Sequence, residues 1–442
     1  MFTSPLTSRP ARIGLLLAAM GLNLGFPVSA AHAADAPQAS KLDTVRPDLF
    51  KLVDPAQIKE LMAAKNYPEV QNRITLASAL PNLSPYEAFV LNRLRISLAS
   101  ASGDRAMAIT ALEAVIGSGR LAALDQPNFI LALANEHYNA KDYPKAIAWF
   151  TRYQQESDKA GNSAGSAKVR PYLIRAYYFG ADFAKAKQAL LTDLHADEKS
   201  KQVPPIENLQ LLASSSAQTQ DQQTYLIALE KLVRFYPSDD YWTDLLSRLQ
   251  AASGYSEHLQ LDVLRLERAA VPTMTEQEYV DMGELALLAG FPTEAQKVAD
   301  AGYAAGVLGV GTNAARHKKL RDQAAKGAAD DLKHIGAGEA SASSARDGAG
   351  LINLGYAYVT MGRFDKGIAL IRKGLAKGGL KRPEDGKLRL GIAYAMAGRK
   401  EEAVQTLTTV QGDNGLGKLA RYWTFHINRP APAAIAPTAP AA

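Results

Sequence analysis

Apolar and small residues recur at three- and four-residue steps along most of the chain, and short turn signals interrupt them at regular intervals. That period is the mark of amphipathic helices. The clearest stretch is 351–373, where Leu351, Leu354, Gly355 and Tyr358 share a face, Gly362 breaks the pattern, and Phe364, Gly367, Ile368 and Ile371 resume it. It predicts a helix, a turn and a second helix. The same marks return 36 positions on, as Leu390, Gly391, Tyr394, Gly398, Ala403 and Leu407. A glycine inside a helix costs about 1 kcal/mol relative to alanine, so Gly355 and Gly391 need a compensating gain. Close approach of the neighbouring helix supplies one, with Gly367 and Ala403 small on the facing side and Tyr358, Phe364 and Tyr394 filling the remaining space.

This duplicated hairpin resembles the tetratricopeptide repeat, a helix–turn–helix unit of about 34 residues that stacks into a superhelix. Further turns are marked by Lys65-Asn66-Tyr67, Gly103-Asp104, Lys141-Asp142-Tyr143, Gly180 to Phe183, Thr219-Gln220-Asp221, Ser253-Gly254-Tyr255 and Gly290-Phe291-Pro292. The expected fold is therefore all-α, an α-solenoid (superhelix) of nine to ten TPR-like hairpins with a C-terminal capping helix. Units at 129–154, 168–194 and 351–408 carry the most specific marks, and the two earliest are degenerate. Pro237, Pro272 and Pro383 fall between units, where a missing amide hydrogen ends a helix at no cost.

The expected organisation is an export signal over 1–33, a lead-in over 34–48, helical repeats over 49–301, an irregular charged region over 302–350, repeats and a capping helix over 351–427, and a proline- and alanine-rich tail over 428–442. Arg9 and Arg12 precede an apolar run from Ile13 to Val28, and Ala31-His32-Ala33 is a small-x-small cleavage pattern. Cleavage would leave an exported chain with no membrane span, placed in the periplasm of a Gram-negative cell. In the charged region, Leu320, Ala324, Ala328 and Leu332 keep helical spacing. Two readings stay open there, a degenerate hairpin and a protruding arm. Leu419, Tyr422, Trp423 and Ile427 form the apolar face of the closing helix, which repeat arrays need at an open end.

The formal net charge is +6, falling to +4 once Arg9 and Arg12 are removed, so the mature chain is only mildly basic. There is no cysteine, which excludes disulfides and thiolate metal sites, and the seven histidines form no zinc-ligand pair. Residues 309–314, Gly-Val-Gly-Thr-Asn-Ala, match a dinucleotide glycine signature, but that signature acts only between a strand and a helix. Helix-end turns, with Thr312 or Asn313 as cap, explain it better. Asp239-Asp240, Asp330-Asp331 and Glu401-Glu402 are adjacent and point apart on a helix, so they make poor acid–base pairs. No Gly-x-Ser-x-Gly occurs. The sequence points to no catalytic residues, no cofactor and no metal.

In proteins similar to tetratricopeptide repeats, the first helix of each hairpin lines a groove that holds an extended peptide or a helix. By position, the resemblance implies a groove of Asn135, Tyr138, Arg175, Tyr178, Thr243, Ser247, Asn353 and Tyr356. The same tyrosines could instead serve only to pack helices. The expected function is a non-catalytic periplasmic scaffold for a protein or peptide segment, in an envelope transport or assembly complex linked to outer-membrane transporter energisation. A basic patch of Arg316, Lys318, Lys319 and Arg321 suggests the alternative, an export or binding component for polysaccharide or peptidoglycan. Nucleic acid is not expected as a partner.

Overall fold

A computed structural model describes residues 44–429. The expected export signal, most of the expected lead-in and all but the first two residues of the expected tail lie outside them. Among the described residues every regular element is helical, and they form two compact units that divide between His195 and Ala196.

Unit 1 contains α1 (Pro47–Leu52), α2 (Pro55–Ala63), α3 (Tyr67–Ser78), α4 (Pro85–Ser102), α5 (Arg105–Gly117), α6 (Gln126–Asn139), α7 (Tyr143–Lys159), α8 (Ser163–Phe179) and the start of α9 (Phe183–Ser200). Arg46, which the sequence placed in the lead-in, is anchored. Its Nε donates to Glu87 Oε1 at 2.9 Å and its NH2 to Glu87 Oε2 at 2.7 Å. These bonds lead the causes that bring the Glu87 carboxyl down to about 2. Glu87 also closes the capping box of α4 with Ser84.

Most hairpins share one turn. A left-handed residue is followed by one whose amide reaches back over the end of the first helix, as in Asp142 N to His137 O at 2.9 Å and Asp182 N to Tyr177 O at 2.9 Å. Lys65, Lys141, Ala181 and Gln220 take the left-handed position early in the chain, and Gly290, Gly362 and Gly398 take it later. In the early turns the next side chain caps the second helix. Asn66, Asp142 and Asp221 accept from the amides of Glu69, Lys145 and Thr224.

Unit 2 runs through α10 (Ile206–Gln218), α11 (Gln222–Phe235), α12 (Asp239–Gln250), α13 (Gln260–Ala270), α14 (Glu276–Leu288), α15 (Pro292–Ala304), α16 (Ala314–His334), α17 (Gly338–Ser344), α18 (Ala349–Thr360), α19 (Phe364–Lys377), α20 (Pro383–Met396), α21 (Lys400–Leu407) and α22 (Leu416–Ile427). The α18–α19 hairpin packs backbone to backbone. A Cβ on Gly355 would lie 2.6 Å from the Gly367 carbonyl oxygen, and one on Gly348 would lie 1.8 Å from that of Gly374. In the second copy the nearest atoms to a Cβ on Gly391 belong to the side chain of Leu407.

The charged helix α16 lies along α14 and α15. Leu320 packs over Gly283, Gly327 meets Pro292, and His317 is fully buried. The glycine stretch before it is a loop built on that histidine. Gly309 N donates to His317 Nδ1 at 3.2 Å, so the proton lies on Nε2, 3.2 Å from Glu276 Oε1. Asn313 is the N-cap residue by position, but its side chain does not cap the helix; its amide donates to Glu276 at 2.7 Å.

The C-terminal helix does more than cover the last hairpin. Besides packing on α20 and α21, α22 reaches α11 and α13 near the start of the unit. Arg421 pairs with Glu230 on α11, Tyr422 Oη donates to the same carboxylate at 3.1 Å, and His426 stands edge-on to Trp242 with centroids 6.3 Å apart. Ser256 N donates to Asn414 O at 3.2 Å, and His258 Nε2 lies 3.2 Å from Asp385. Unit 2 is thus closed end to end.

One carboxyl of this unit titrates near neutrality. Burial first, and then the charge of Glu278, push Glu267 on α13 up from 4.5 to about 7. The folded state therefore holds this proton more tightly than the unfolded chain. The resulting stability is complete below pH 4.5 and is lost as pH rises through about 7. Glu267→Gln is expected to raise the melting temperature at pH 8 and leave it nearly unchanged at pH 4.5. Equal shifts at both pH values would show that the carboxyl is solvated.

Candidate peptide-binding surface

In unit 1 three of the sequence-predicted groove residues fall within one aromatic seam. Tyr138, at the end of α6, contacts Tyr143, Phe150 and Tyr172, with centroids 5.8, 6.3 and 6.4 Å away and rings edge-on. Tyr143 stacks on Phe179 at 5.9 Å, and Phe179 continues to Tyr178 at 5.4 Å and Tyr178 to Phe183 at 5.5 Å. The Arg175 guanidinium lies 5.9 Å from the centre of the Tyr172 ring, and Lys185 Nζ lies 5.7 Å from that of Tyr177. Tyr138, Tyr143, Tyr172, Arg175, Tyr178 and Phe183 are half-buried, and Phe179 is 37% exposed. Each of these side chains therefore keeps part of its surface exposed while its neighbours restrict it, which provides contact area with little rotamer entropy to lose.

The two turns 138–143 and 178–183 gather this seam because they have the same sequence design, aromatic residues flanking an Asp N-cap. Tyr172 was missed in the sequence. Its signal was there, since it precedes Arg175 by one helical turn on the same face. Asn135, by contrast, is interior, with a buried Oδ1 that has no hydrogen-bond partner among the described residues.

In unit 2 the predicted groove residues separate. Thr243, Ser247 and Asn353 are exposed, and Asn353 Oδ1 accepts from Arg389 at 2.6 Å. Tyr356 is 1% exposed and forms part of a buried cluster that the sequence did not disclose. Arg265 on α13, 5% exposed, donates from Nε and NH2 to the two Glu294 oxygens at 2.8 and 2.6 Å, and from NH1 to Asp262 at 2.5 Å. Its guanidinium lies 4.4 Å from the Tyr356 ring centre and 5.3 Å from that of Phe291. Burial pulls the Arg265 pKa down, but the Glu294 and Asp262 carboxylates outweigh it and hold the group well above the usual arginine value. Tyr356 is a lid on a buried charge and offers no surface to a ligand.

The basic patch is largely neutralised. Arg316 pairs with Glu284 at 2.9 Å, Lys318 with Asp322 at 2.5 Å and Arg321 with Asp300 at 2.6 Å, while Lys319 is exposed.

Hairpins stacked in chain order, with a helix closing the last, define the class: an all-α, TPR-like α-solenoid. No family model matches the chain, and no curated protein matches it. Among solved structures it is similar to yeast Tom70, with 12% identity over 86% of this chain and 95% of that one and a TM-score of 0.20. It is also similar to a chain in the structure of Naa15/Naa10 bound to HypK-THB, with 14% identity over 85% of this chain and 65% of that one and a TM-score of 0.22. At those scores neither likeness bears on function.

Proposed function

We propose that the protein is a non-catalytic interaction scaffold that holds a segment of a partner protein on the aromatic seam of unit 1. The observation that carries this reading is the run of half-buried rings from Tyr138 to Phe183, flanked by Arg175 and Lys185. The export pattern at Arg9, Arg12 and Ala31-His32-Ala33 supports placing the scaffold in the periplasm, within an envelope transport or assembly complex. The alternative of an anionic envelope polymer at 316–321 is less favoured, because three of those four cations already have carboxylate partners.

Photo-crosslinking from position 179 in cells tests the proposal. A discrete protein adduct is expected, and Tyr178→Ala should weaken the recovered complex by about thirtyfold, the loss of roughly 2 kcal/mol typical of an aromatic anchor. An adduct pattern unchanged by Tyr178→Ala, with the helical circular dichroism intact, would move the partner elsewhere.

A further inference from the structure

The end of α19 and the loops beside it carry cations that nothing neutralises. Arg346, Lys373, Lys377, Lys381 and Arg382 are all exposed, and no carboxylate among the described residues pairs with any of them. Backbone contacts bring their segments to one rim. Gly348 N donates to Gly378 O at 2.9 Å, and a Cβ on Gly379 would lie 3.1 Å from the Asp347 Cβ and 3.9 Å from the Arg346 carbonyl oxygen. The chain bearing Lys381 and Arg382 therefore leaves beside the chain bearing Arg346. Next to them, Lys377 Nζ donates to Ser343 O at 2.6 Å, and Lys373 Nζ lies 3.5 Å from Ser343 Oγ. Two ammonium groups thus converge on one uncharged residue, and an anion joining them would relieve their repulsion.

The acidic neighbours are committed elsewhere. Glu339 takes Lys366 and the Tyr358 hydroxyl, Glu384 takes Lys387 and the Gln411 amide, and Asp385 faces His258. Asp347, bonded to the Ala349 amide, is the carboxylate nearest the rim, and it leaves the five cations in clear excess. This differs from the 316–321 patch, where carboxylates have already taken Arg316, Lys318 and Arg321.

The surroundings select among polyanions. A bilayer-binding face adds apolar side chains to its cations, but no large apolar residue between Leu332 and Met396 is exposed. Single-stranded nucleic acid needs open rings for stacking, and Tyr356, Tyr358 and Phe364 on α18 and α19 are not exposed. A long rod of duplex phosphates would run from the rim onto Glu339 at one side and Glu384 at the other. A short run of carboxylates fits between them. We propose that this rim docks an acidic segment of a partner polypeptide, with its carboxylates at Lys373 and Lys377 beside Ser343 and at Arg346, Lys381 and Arg382. The surface is separate from the aromatic seam of unit 1 and does not depend on the reading of that seam.

Fluorescence anisotropy of a labelled oligoglutamate peptide with the whole chain at low salt tests the proposal, with a DNA duplex of equal charge and phosphatidylglycerol vesicles as rival ligands. The peptide is expected to bind saturably and at least tenfold more tightly than the duplex, and the vesicles should not sediment the protein. Lys381→Gln with Arg382→Gln removes two side chains that make no ion pair with the rest of the chain, so the fold is kept. This pair should weaken the peptide at least tenfold. Lys319→Gln with Lys326→Gln, which removes the same charge from exposed positions on α16, should leave binding unchanged. No peptide binding, equal binding of the duplex, sedimentation with vesicles, or equal weakening by the two pairs would each overturn the proposal.

Discussion

Arg265→Ala is expected to destabilise unit 2 by about 3–5 kcal/mol, the largest loss for any single substitution considered, because it leaves two carboxylates buried with no counter-charge. Glu294 and Asp262 are each less than a tenth exposed, and Arg265 is the cation that both of them meet. The loss reflects stranded charge more than the worth of the pair. Replacing all three together by Asp262→Leu, Arg265→Met and Glu294→Met should therefore cost far less, and could raise stability. Urea unfolding of the single and triple variants checks both halves. A single variant within 1 kcal/mol of the parent would mean that water reaches the cluster.

The second large effect has a sign opposite to helix propensity. On an isolated helix Gly355→Ala would gain about 1 kcal/mol. Here the added Cβ would sit 2.6 Å from the Gly367 carbonyl oxygen and 2.8 Å from the Ile371 amide nitrogen, both backbone atoms that cannot rotate away. The α18–α19 pair must part, and a net loss of about 1–3 kcal/mol is expected. Gly391→Ala should be milder, because its nearest neighbours are side-chain carbons of Leu407, the closest at 2.5 Å, and a leucine can change rotamer. Thermal melts of the two variants should rank Gly355→Ala as clearly the worse. The reverse order would show that the glycines serve the helix ends and not the contact between helices.

How much of this was legible in the chain follows from where each signal lies. Helices and turns are encoded locally, so Lys141-Asp142-Tyr143 and Gly362-Arg363-Phe364 could be read directly, and so could the need for small residues at Gly355 and Gly367. The identity of a glycine's neighbour was less secure. Gly391 meets Leu407, the counterpart 36 positions on of the Ile371 that meets Gly355, whereas the sequence had pointed to Ala403. The candidate site divided along the same line. Tyr138, Arg175 and Tyr178 converge because adjacent hairpins repeat the same turn, and a repeat is visible in sequence. Tyr356 keeps the groove position by spacing, but Arg265 and Glu294 arrive from other helices and cover it. Likewise Arg316 and Arg321 looked like a free patch, and their partners Glu284 and Asp300 are 32 and 21 residues away. Charge partners that distant leave no trace in periodicity.

The bond from Arg421 to Glu230 spans 191 residues, and this has a kinetic meaning. A linear repeat array can nucleate anywhere and lengthen one module at a time, each addition held by its neighbour. A fastener that joins the two ends cannot form until everything between them is in order, and loop closure of that length slows the search. Unit 2 should therefore appear in refolding experiments as a single late step that brings Trp242 into contact with the last helix, and it should lose its modules together when it unfolds.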